Sequence, residues 1–265
     1  MKAKKYYYQL KLNKSLNSVN TNKMFKYIDG FSILCLKGGK TFSEEDGFHE
    51  TGLIILTGRC SVTAGDHHFE NIGDRETVFD GLPFAVYIPP GLKYSVKGEC
   101  AEIAVCKKSC NISNTVPVLI SPKDVKITKT GKDNWAREVR RIIDSGTSQG
   151  GMIIGETINP PGNWSGTPPH KHEQNNLPSE SLHEELYYFK TDKPQGWGIE
   201  RFYSPDRKIN ELIYLQNDML TFIPYGYHQI VSAPGYTLYY LFFLAGEGPF
   251  LTPFEDPAHS WIKNA

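Results

Sequence analysis

A ten-residue motif occurs twice in this chain, once in each half. Residues 87–96 read Tyr-Ile-Pro-Pro-Gly-Leu-Lys-Tyr-Ser-Val, and residues 222–231 read Phe-Ile-Pro-Tyr-Gly-Tyr-His-Gln-Ile-Val, so the two align without gaps. Each copy has an aromatic residue, Ile, a Pro-x-Gly turn, a basic residue and then a strand pattern that ends in Val. Such a repeat indicates two copies of one fold. The sequence therefore predicts two related domains.

Short apolar runs separated by turn residues fill both halves of the chain. They have strand length, are rich in β-branched and aromatic residues, and are bounded by Gly, Asp and Pro. No long window shows the apolar stripe of an amphipathic helix. The pattern therefore predicts an all-β sandwich or barrel. The predicted strand segments are residues 31–36, 53–58, 84–88, 101–106, 152–158, 198–203, 210–215, 219–223 and 236–244.

The boundary between the two copies is expected where the composition changes. Within residues 111–131, residues 111–115 are polar and two prolines follow, which is typical of a connecting arm with room for one strand. We therefore predict an N-terminal domain over residues 1–120 and a C-terminal domain over residues 121–265. Residues 135–143, just after the arm, fit either an amphipathic strand or a short helix.

Metal-binding residue types form a spaced set in the C-terminal half. His170 and His172 alternate with Lys171, so both imidazoles face the same way in an extended chain. Glu185 lies in a strand-like run, and His228 follows the Pro-x-Gly turn of the second repeat copy. Three imidazoles and a carboxylate that converge in a barrel form a divalent metal site open to a substrate. We predict these four residues as the metal ligands.

Neighbouring residues offer alternatives to this ligand set. Glu184 competes with Glu185, but Glu185 shares a strand face with the polar aromatic Tyr187 and is therefore preferred. His183 and His259 are outside candidates, for which a surface or core position is the default expectation.

Two lysines mark positions where no metal contact is expected. Lys93 occupies the place in the first repeat copy that His228 occupies in the second. A protonated lysine repels a cation and donates only hydrogen bonds. The first copy also lacks a His-x-His pair, so we predict that it binds no metal and serves as a scaffold or dimer surface.

Lys171 points away from its two histidine neighbours, which predicts a solvated side chain.

The overall charge excludes several classes of partner. The chain has 29 basic and 29 acidic residues, so no electrostatic case exists for binding nucleic acid or an anionic membrane. No apolar run approaches the roughly 18 residues of a membrane span. The N-terminal residues lack the apolar segment of a signal peptide, and we therefore expect a cytoplasmic protein.

The metal set and its flanking residues resemble the cupin metal motifs, and the whole chain resembles the IolB family of 5-deoxy-glucuronate isomerases of inositol catabolism. The resemblance is dense in the C-terminal half and loose in the N-terminal half. The related 4-deoxy-L-threo-5-hexosulose-uronate ketol-isomerases, the KduI type, resemble the chain too, with the same ligand types and a shorter loop between the second histidine and the glutamate. The segments that carry the resemblance are residues 162–165, 168–173, 184–188, 195–198, 201–203, 218–224, 226–228, 233–236, 239–241 and 256–259.

The resemblance implies a bicupin, with two jelly-roll β-barrels, and a sugar-acid isomerase that converts 5-deoxy-D-glucuronate to 5-dehydro-2-deoxy-D-gluconate. Such an aldose-ketose isomerisation needs a Lewis acid on two oxygens, a base for the C2 proton and a group that binds the substrate carboxylate. A redox-inactive ion, zinc in the first place, is sufficient, and manganese or iron fits the same ligands. The expected partner is a small sugar acid, and a homo-oligomer is compatible with the sequence.

Three residues are candidates for the catalytic base of this implied reaction. Glu156 alternates with two isoleucines on the strand that enters the site, so its side chain is a candidate to face inward. Tyr187 and Tyr227 follow, although tyrosine is a poor base unless a metal lowers its pKa. Each has a structural alternative, which is a salt bridge for Glu156 and core packing for the tyrosines.

The substrate-binding candidates are chosen by side-chain chemistry. Arg201 is predicted to bind the substrate carboxylate, because its planar guanidinium matches a carboxylate in two hydrogen bonds. A surface ion pair is its structural alternative. Gln195 and Tyr240 are further candidates to line the pocket.

Two other functions fit the same residues. A ring-opening cupin dioxygenase would use Fe(II) on the same ligands and consume oxygen. A sugar-sensing or storage cupin would bind its ligand without turnover. No helix-turn-helix pattern follows either predicted barrel, which disfavours a transcription regulator.

Overall fold

The computed structural model describes residues 6–112 and 115–264, and these residues are almost entirely in strands or loops. The described residues form strands β1 to β20 and three short 3-10 helices, which confirms the predicted all-β class. The strands are β1 (Tyr7–Gln9), β2 (Leu16–Val19), β3 (Gly30–Asp46), β4 (His49–Ala64), β5 (His67–Ile72), β6 (Ala85–Ile88), β7 (Leu92–Ser109), β8 (Val118–Ile120), β9 (Lys126–Thr130), β10 (Arg137–Ile143), β11 (Ile153–Asn159), β12 (Trp164–Lys171), β13 (Glu173–Asn176), β14 (Glu180–Thr191), β15 (Gly198–Tyr203), β16 (Asn210–Leu215), β17 (Met219–Ile223), β18 (Tyr227–Ser232), β19 (Leu238–Gly246) and β20 (Phe254–Glu255). The 3-10 helices are Pro122–Asp124, Asp133–Trp135 and Ser260–Asn264. Among the described residues, none of the helices has the length and apolar character needed to cross a membrane.

Two compact units divide the described chain, and each contains more than one segment. The first unit contains the described residues between Lys11 and Lys126, together with Arg141–Ile154. The second contains the described residues up to Leu10, the segment Ile127–Arg140 and the described residues from Gly155 onward. The units therefore change over at Lys126 and again within β10 and β11. The boundary after residue 120 stays a prediction for the two family domains.

The first unit is built on a seven-stranded sheet. Its order is β2-β3-β7-β4-β6-β8, with β5 paired to β4. The long strands β3, β4 and β7 pair antiparallel along most of their length. Their inward residues, such as Leu34, Leu53 and Ile103, are almost completely buried and form one apolar cluster. The strand segments predicted for this half overlap β3, β4, β6 and β7.

Two antiparallel sheets make up most of the second unit. The larger has eight strands in the order β1-β17-β14-β19-β11-β10-β9, with β13 paired to β14. The smaller has five strands in the order β16-β15-β18-β12-β20. All residues of β19 are buried, because this strand lies between β14 and β11 and is covered on both faces. The predicted metal ligands lie on or beside β12, β14 and β18, so both sheets contribute to the site.

The segment after the connecting arm resolves into a strand. The sequence of residues 135–143 fits either a strand or a helix. In the structure Trp135 is the last residue of the 3-10 helix Asp133–Trp135, and Arg137–Ile143 form β10. In a strand, residues that are three positions apart point to opposite faces. Arg137 and Arg140 of β10 therefore have different surroundings, which matters for the site.

The two copies of the repeated motif have matching turns. Residues 89–91 join β6 to β7, and residues 224–226 join β17 to β18. Gly91 has a φ angle of 88° and Gly226 has a φ angle of 87°, a backbone region that favours glycine. A Cβ at Gly226 would lie 2.8 Å from the Tyr203 carbonyl oxygen. The turn before the second-copy histidine therefore requires glycine.

Candidate metal centre

Three imidazole rings meet where β12 pairs with β18. His170 lies directly opposite His228 in the antiparallel register, and their ring centroids are 4.6 Å apart. His172 follows β12, and its ring centroid is 6.1 Å from that of His170 and 5.3 Å from that of His228. One ring nitrogen from each histidine lies within 4.8 Å of the others. This spacing suits one shared metal ion.

A buried carboxylate from the other sheet joins the three rings. Glu185 of β14 is 4% exposed, and its Oε2 lies 3.1 Å from His172 Nε2 and 3.3 Å from His228 Nε2. Burial by itself would raise the pKa of Glu185, but its contacts with these two imidazoles outweigh burial and hold that pKa well below its usual range. The structure therefore brings together the four side chains that the sequence spacing selected.

The donor atoms of this cluster fit a divalent metal ion. His228 Nε2 is buried and has no partner in hydrogen-bond geometry within the described chain, although Glu185 is nearby. Buried polar atoms normally have a partner, and a cation shared with the other rings would be one for this nitrogen. His172 Nδ1 donates to the His183 carbonyl at 2.8 Å, which directs its Nε2 lone pair to the cluster as in known metal sites.

The protonation of the rings is also suited to a cation. Burial lowers the pKa of His170 well below its usual value, and the positive charges of His228, His172 and Arg137 would lower it further. His170 is therefore neutral, which is the metal-binding form of imidazole. Burial by itself would lower the pKa of His172, but the hydrogen bond with Glu185 outweighs burial and raises that pKa. A bound cation would displace the proton that this hydrogen bond retains.

Hydroxyl groups line the same interior. Tyr187 follows Glu185 on the same face of β14, and its ring centroid is 5.9 Å from that of His228 and 5.2 Å from that of Tyr240. The Tyr240 hydroxyl is hydrogen-bonded to Ser165 Oγ. Burial, reinforced by the negative charge of Glu185, raises the pKa of Tyr187 well above its usual value. A phenol of raised pKa keeps its proton and can donate a hydrogen bond.

Glu156, the first candidate for the base, lies on β11 but faces away from the cluster. Its carboxylate is fully buried, lies 3.3 Å from Arg140 Nη1 and accepts a hydrogen bond from the Tyr239 hydroxyl at 2.8 Å. The next residue, Thr157, is the one that contacts Tyr240, because adjacent residues of a strand face opposite sides. The structure therefore places Glu156 in a buried ion pair, which was its structural alternative.

Three further candidates are not brought to the cluster. Tyr227 precedes His228 on β18 and faces the other side, where its ring centroid lies 5.3 Å from that of Tyr203. Arg201 of β15 has its guanidinium 4.4 Å from the same Tyr203 ring. Gln195 is exposed in the turn between β14 and β15. Strand alternation explains the first two positions, because each has a neighbour that faces inward.

The expectation that Lys171 is solvated is wrong. Its side chain points away from the ring cluster, as alternation requires, but Lys171 is only 5% exposed. Its Nζ lies 2.8 Å from Glu180 Oε2 and 3.0 Å from Glu173 Oε1. The ammonium group therefore pairs with the buried Glu180 and the half-buried Glu173 at the β13–β14 hairpin and is largely shielded from water.

The outside candidates have other surroundings. The buried His183 ring contacts Ser181 Oγ at 3.1 Å and the Gly248 carbonyl at 3.2 Å. Glu184 lies opposite Ala245 in the β14–β19 register and faces away from the side chain of Glu185. His259 lies after β20 and does not belong to the histidine cluster in the described chain.

Two charged residues of this interior were not identified from the sequence. Burial raises the pKa of Tyr240, and the positive charge of Arg137 on β10 opposes that rise. The same charge adds to the effect of burial, which lowers the pKa of His170. Glu200 of β15 is fully buried, and its negative charge raises the pKa of Tyr187. The face that each strand turns to the site depends on pairing register, which was not evident from these short segments.

Comparison with known sequences gives a consistent result over the whole chain. The sequence pattern of the KduI/IolB family matches residues 6–262. A 5-deoxy-glucuronate isomerase of Bacillus velezensis is 36% identical over 247 residues, which covers 92% of this chain and 90% of that protein. A protein of the same name from Bacillus subtilis strain 168 is 36% identical over 253 residues, which covers 94% of this chain and 93% of that protein.

Solved structures agree with the sequence comparison. An IolB-like protein from Salmonella typhimurium LT2 has a TM-score of 0.93 and 28% identity, with 98% of this chain and 100% of that chain covered. The oxalate decarboxylase of Lactobacillus farciminis has a TM-score of 0.67 and 13% identity, with 100% and 92% covered, so the likeness concerns the fold. The predicted cupin-type fold is thereby confirmed. Family pattern, close relatives and fold lead to one conclusion, that this chain belongs to the KduI/IolB family.

Proposed function

We propose that this protein is a 5-deoxy-glucuronate isomerase, which converts 5-deoxy-D-glucuronate to 5-dehydro-2-deoxy-D-gluconate in the catabolism of inositol. The observation that carries the proposal is the group of three imidazoles and one carboxylate beside tyrosine hydroxyls, in which His170 is half-buried and the other ligands are buried. The names of the two Bacillus relatives support the choice of substrate. A cytoplasmic location and a homo-oligomeric state remain predictions.

A divalent metal ion would be held by His170, His172, Glu185 and His228. When bound, it supplies positive charge that stabilises the negative charge developing on the C1 and C2 oxygens of the substrate. We propose zinc because the isomerisation needs no change of oxidation state, and manganese or iron suits the same donors. The hydroxyls of Tyr187 and Tyr240 are placed to donate hydrogen bonds to the sugar.

We assign the substrate carboxylate to Arg137 instead of Arg201. Arg140 lies beside Glu156 on one face of β10, so Arg137, three residues earlier, takes the opposite face. The effect of its positive charge on Tyr240 supports this position. A guanidinium at the edge of the tyrosine-lined interior can pair with a carboxylate through two hydrogen bonds.

Replacing Arg137 with glutamine is expected to raise KM for the uronate by about 10- to 100-fold, the range of a lost hydrogen bond to a charged group. The turnover number should change much less, because the carboxylate is remote from the reacting carbons. The same substitution at Arg201 is the comparison, and steady-state kinetics measure both. A larger rise in KM for Arg201→Gln than for Arg137→Gln would contradict the assignment.

The proposed reaction is tested by NMR of the purified protein with 5-deoxy-D-glucuronate under anaerobic conditions. We expect loss of the aldehyde signal and growth of the ketone product, with no need for oxygen. Removal of metal by a chelator should stop the conversion, and added zinc or manganese should restore it. Binding of the sugar without conversion would refute the enzyme proposal, and turnover that requires oxygen would indicate the dioxygenase alternative.

The family pattern covers a second uronate isomerase, so the substrate needs its own comparison. The pattern joins the KduI and IolB types, and 4-deoxy-L-threo-5-hexosulose-uronate is the substrate that the KduI type implies. We expect a higher kcat/KM for 5-deoxy-D-glucuronate in parallel assays. The opposite order would transfer the proposal to the KduI type.

A further inference from the structure

Glu200 of β15 has a carboxyl group that is completely buried. The residue is 0% exposed, and neither Oε1 nor Oε2 has a partner in hydrogen-bond geometry within the described residues. The Thr221 hydroxyl lies near enough to affect it but is itself without such a partner in that part of the chain. Buried carboxyl groups that serve the fold are normally hydrogen-bonded or paired with a charge.

Three other buried carboxylates of the second unit follow this rule. Glu156 lies beside Arg140 and accepts a hydrogen bond from a tyrosine. Glu180 pairs with Lys171, and Asp256 accepts hydrogen bonds from Tyr203 and from an arginine. Glu200 differs from all of these, so stabilisation of the fold does not explain it.

The strand register points Glu200 to the interior that contains the metal ligands. In the β15–β18 pairing, Phe202 lies opposite His228 and Glu200 lies opposite Ile230. Residues directly opposite in an antiparallel pair project on the same face, as do residues two apart in one strand. Glu200 therefore shares a face with His228, whereas Arg201 takes the other face.

Electrostatic effects agree with this position. Burial raises the pKa of Glu200 to about 8, the Thr221 hydroxyl opposes this shift, and the negative charge of Glu185 adds to it. The charge of Glu200 in turn raises the pKa of Tyr187. Glu200 thus lies within electrostatic reach of groups on β14, and a carboxyl of raised pKa exchanges protons well near neutral pH.

We propose that Glu200 is the catalytic residue that carries the proton between C2 and C1 of the sugar acid, a role that rests on the proposed isomerase function. Two of the three bases suggested by the sequence, Glu156 and Tyr227, face away from the cluster. Tyr187 faces the cluster, but a neutral phenol is a poor base. Glu200 is the carboxyl that combines an inward position with free oxygens in the described chain.

The proton transfer balances without an oxidant or reductant. The ionised Glu200 carboxylate accepts the C2 proton, the C2–H electron pair forms a C1=C2 bond, and the C1 carbonyl pair moves to O1, which takes a proton from water. The resulting enediol returns the O2 proton to water, a C2 carbonyl forms, and the C1=C2 pair accepts the proton of Glu200 at C1. One hydrogen has then moved from C2 to C1 and one from O2 to O1, and Glu200 is ionised again.

The test replaces Glu200 with glutamine, which keeps the size of the side chain and removes its ability to accept a proton. We expect turnover to fall roughly 100- to 10,000-fold, the range of general acid–base catalysis, with metal content and melting temperature unchanged. Exchange of the substrate C2 hydrogen with deuterated solvent should be lost to the same extent. Glu211→Gln, an exposed glutamate on the adjacent β16, is the matched control and should behave as wild type.

Different failures have different meanings. Wild-type protein without turnover of the uronate refutes the proposed function and this role with it. Active wild type together with a Glu200→Gln variant that keeps more than a tenth of its activity refutes the role alone. Loss of bound metal from a folded Glu200→Gln variant would assign Glu200 to the structure of the site and overturn the proposal.

A measurement on the wild type keeps the proposal testable even if the variant does not fold. Substrate labelled with deuterium at C2 is converted in ordinary water, and the label at C1 of the product is measured by NMR. A carboxyl carrier exchanges part of its proton load with water, so we expect hydrogen from solvent at C1. Complete retention of deuterium would indicate direct transfer between the carbons and would overturn the role of Glu200.

Discussion

Replacing His228 with alanine is expected to give protein without bound metal and to lower turnover by at least roughly 1,000-fold. His228 contributes one of the three clustered imidazoles. Its Nε2 lies 3.3 Å from Glu185 Oε2 and has no partner in hydrogen-bond geometry within the described chain. Loss of an outer hydrogen-bond partner of a metal ligand weakens binding about 10- to 100-fold, so loss of the ligand itself should exceed that range. Mass spectrometric metal analysis and the NMR assay measure the two effects.

Two substitutions serve as controls for His228→Ala. Gln229 is the next residue on β18, and its side chain donates to Thr167 Oγ1 at 2.9 Å, on the face away from the cluster. Lys93 is the aligned residue of the first repeat copy and is exposed. Alanine at either position should leave metal content and turnover intact. Full activity of His228→Ala would contradict the ligand assignment, and metal lost from Lys93→Ala would contradict a metal-free first copy.

The fold class was predictable because strand patterns and turns are local properties. Alternation of apolar residues predicted strands that overlap β3, β4, β6 and β7, since one face of each is buried against a common core. The repeated Pro-x-Gly turns were predictable for the same reason, because Gly91 and Gly226 both require a positive φ angle. Each compact unit is assembled from several separate segments of the chain. This division depends on long-range contacts and therefore has no local signal in the sequence.

The four ligand side chains were identifiable because their spacing alone limits their directions. His170 and His172 share a face in any extended conformation, and the Pro-x-Gly turn directs the strand that begins before His228. Their partner on β14 was ambiguous between two adjacent glutamates. The polar aromatic face selected Glu185, and that residue contacts two of the rings in the structure.

The inward or outward direction of several other side chains was not predictable. Almost all of β11 is buried, with only one residue partly exposed, so the isoleucines beside Glu156 are compatible with either direction. On β15 the sequence offers two charged neighbours, Glu200 and Arg201, and hydrophobicity does not separate them. Pairing with β18 decides between them, because it places Phe202 opposite His228. A change of one residue in that register would have reversed both.

Replacing Lys171 with methionine is expected to destabilise the protein by about 3 kcal/mol, because it removes the countercharge of a buried carboxylate. Glu180 is 3% exposed and its two oxygens lie 2.9 Å and 2.8 Å from Lys171 Nζ. The loss of stability should lie at the lower end of the range for a broken buried ion pair, since the Glu173 and Gln174 backbone N–H groups still donate to Glu180. The melting temperature should fall by roughly 6–12 °C.

The charge state of Lys171 makes neutral pH suitable for this measurement. Burial opposes the ammonium form, but the hydrogen bonds with Glu180 and Glu173 outweigh it and raise the pKa of Lys171 above its usual value of 10.5. A group whose pKa is raised by folding contributes its full stabilisation at pH values below its pKa in the unfolded state. That stabilisation is lost as the pH rises through its pKa in the folded state. The full effect is therefore present at pH 7 and should decline only in strongly alkaline solution.

A second substitution separates the countercharge from the packing of the lysine side chain. Lys171→Met combined with Glu180→Gln removes both charges and should recover most of the melting temperature, because no buried carboxylate is left unpaired. Lys208→Met, at an exposed ion pair with Asp206, should not change it measurably. If the single Lys171→Met variant melted like the wild type, the buried ion pair would contribute nothing to holding the His-Lys-His segment. Lower metal affinity in the single variant, restored in the double variant, would connect this ion pair to the geometry of His170 and His172.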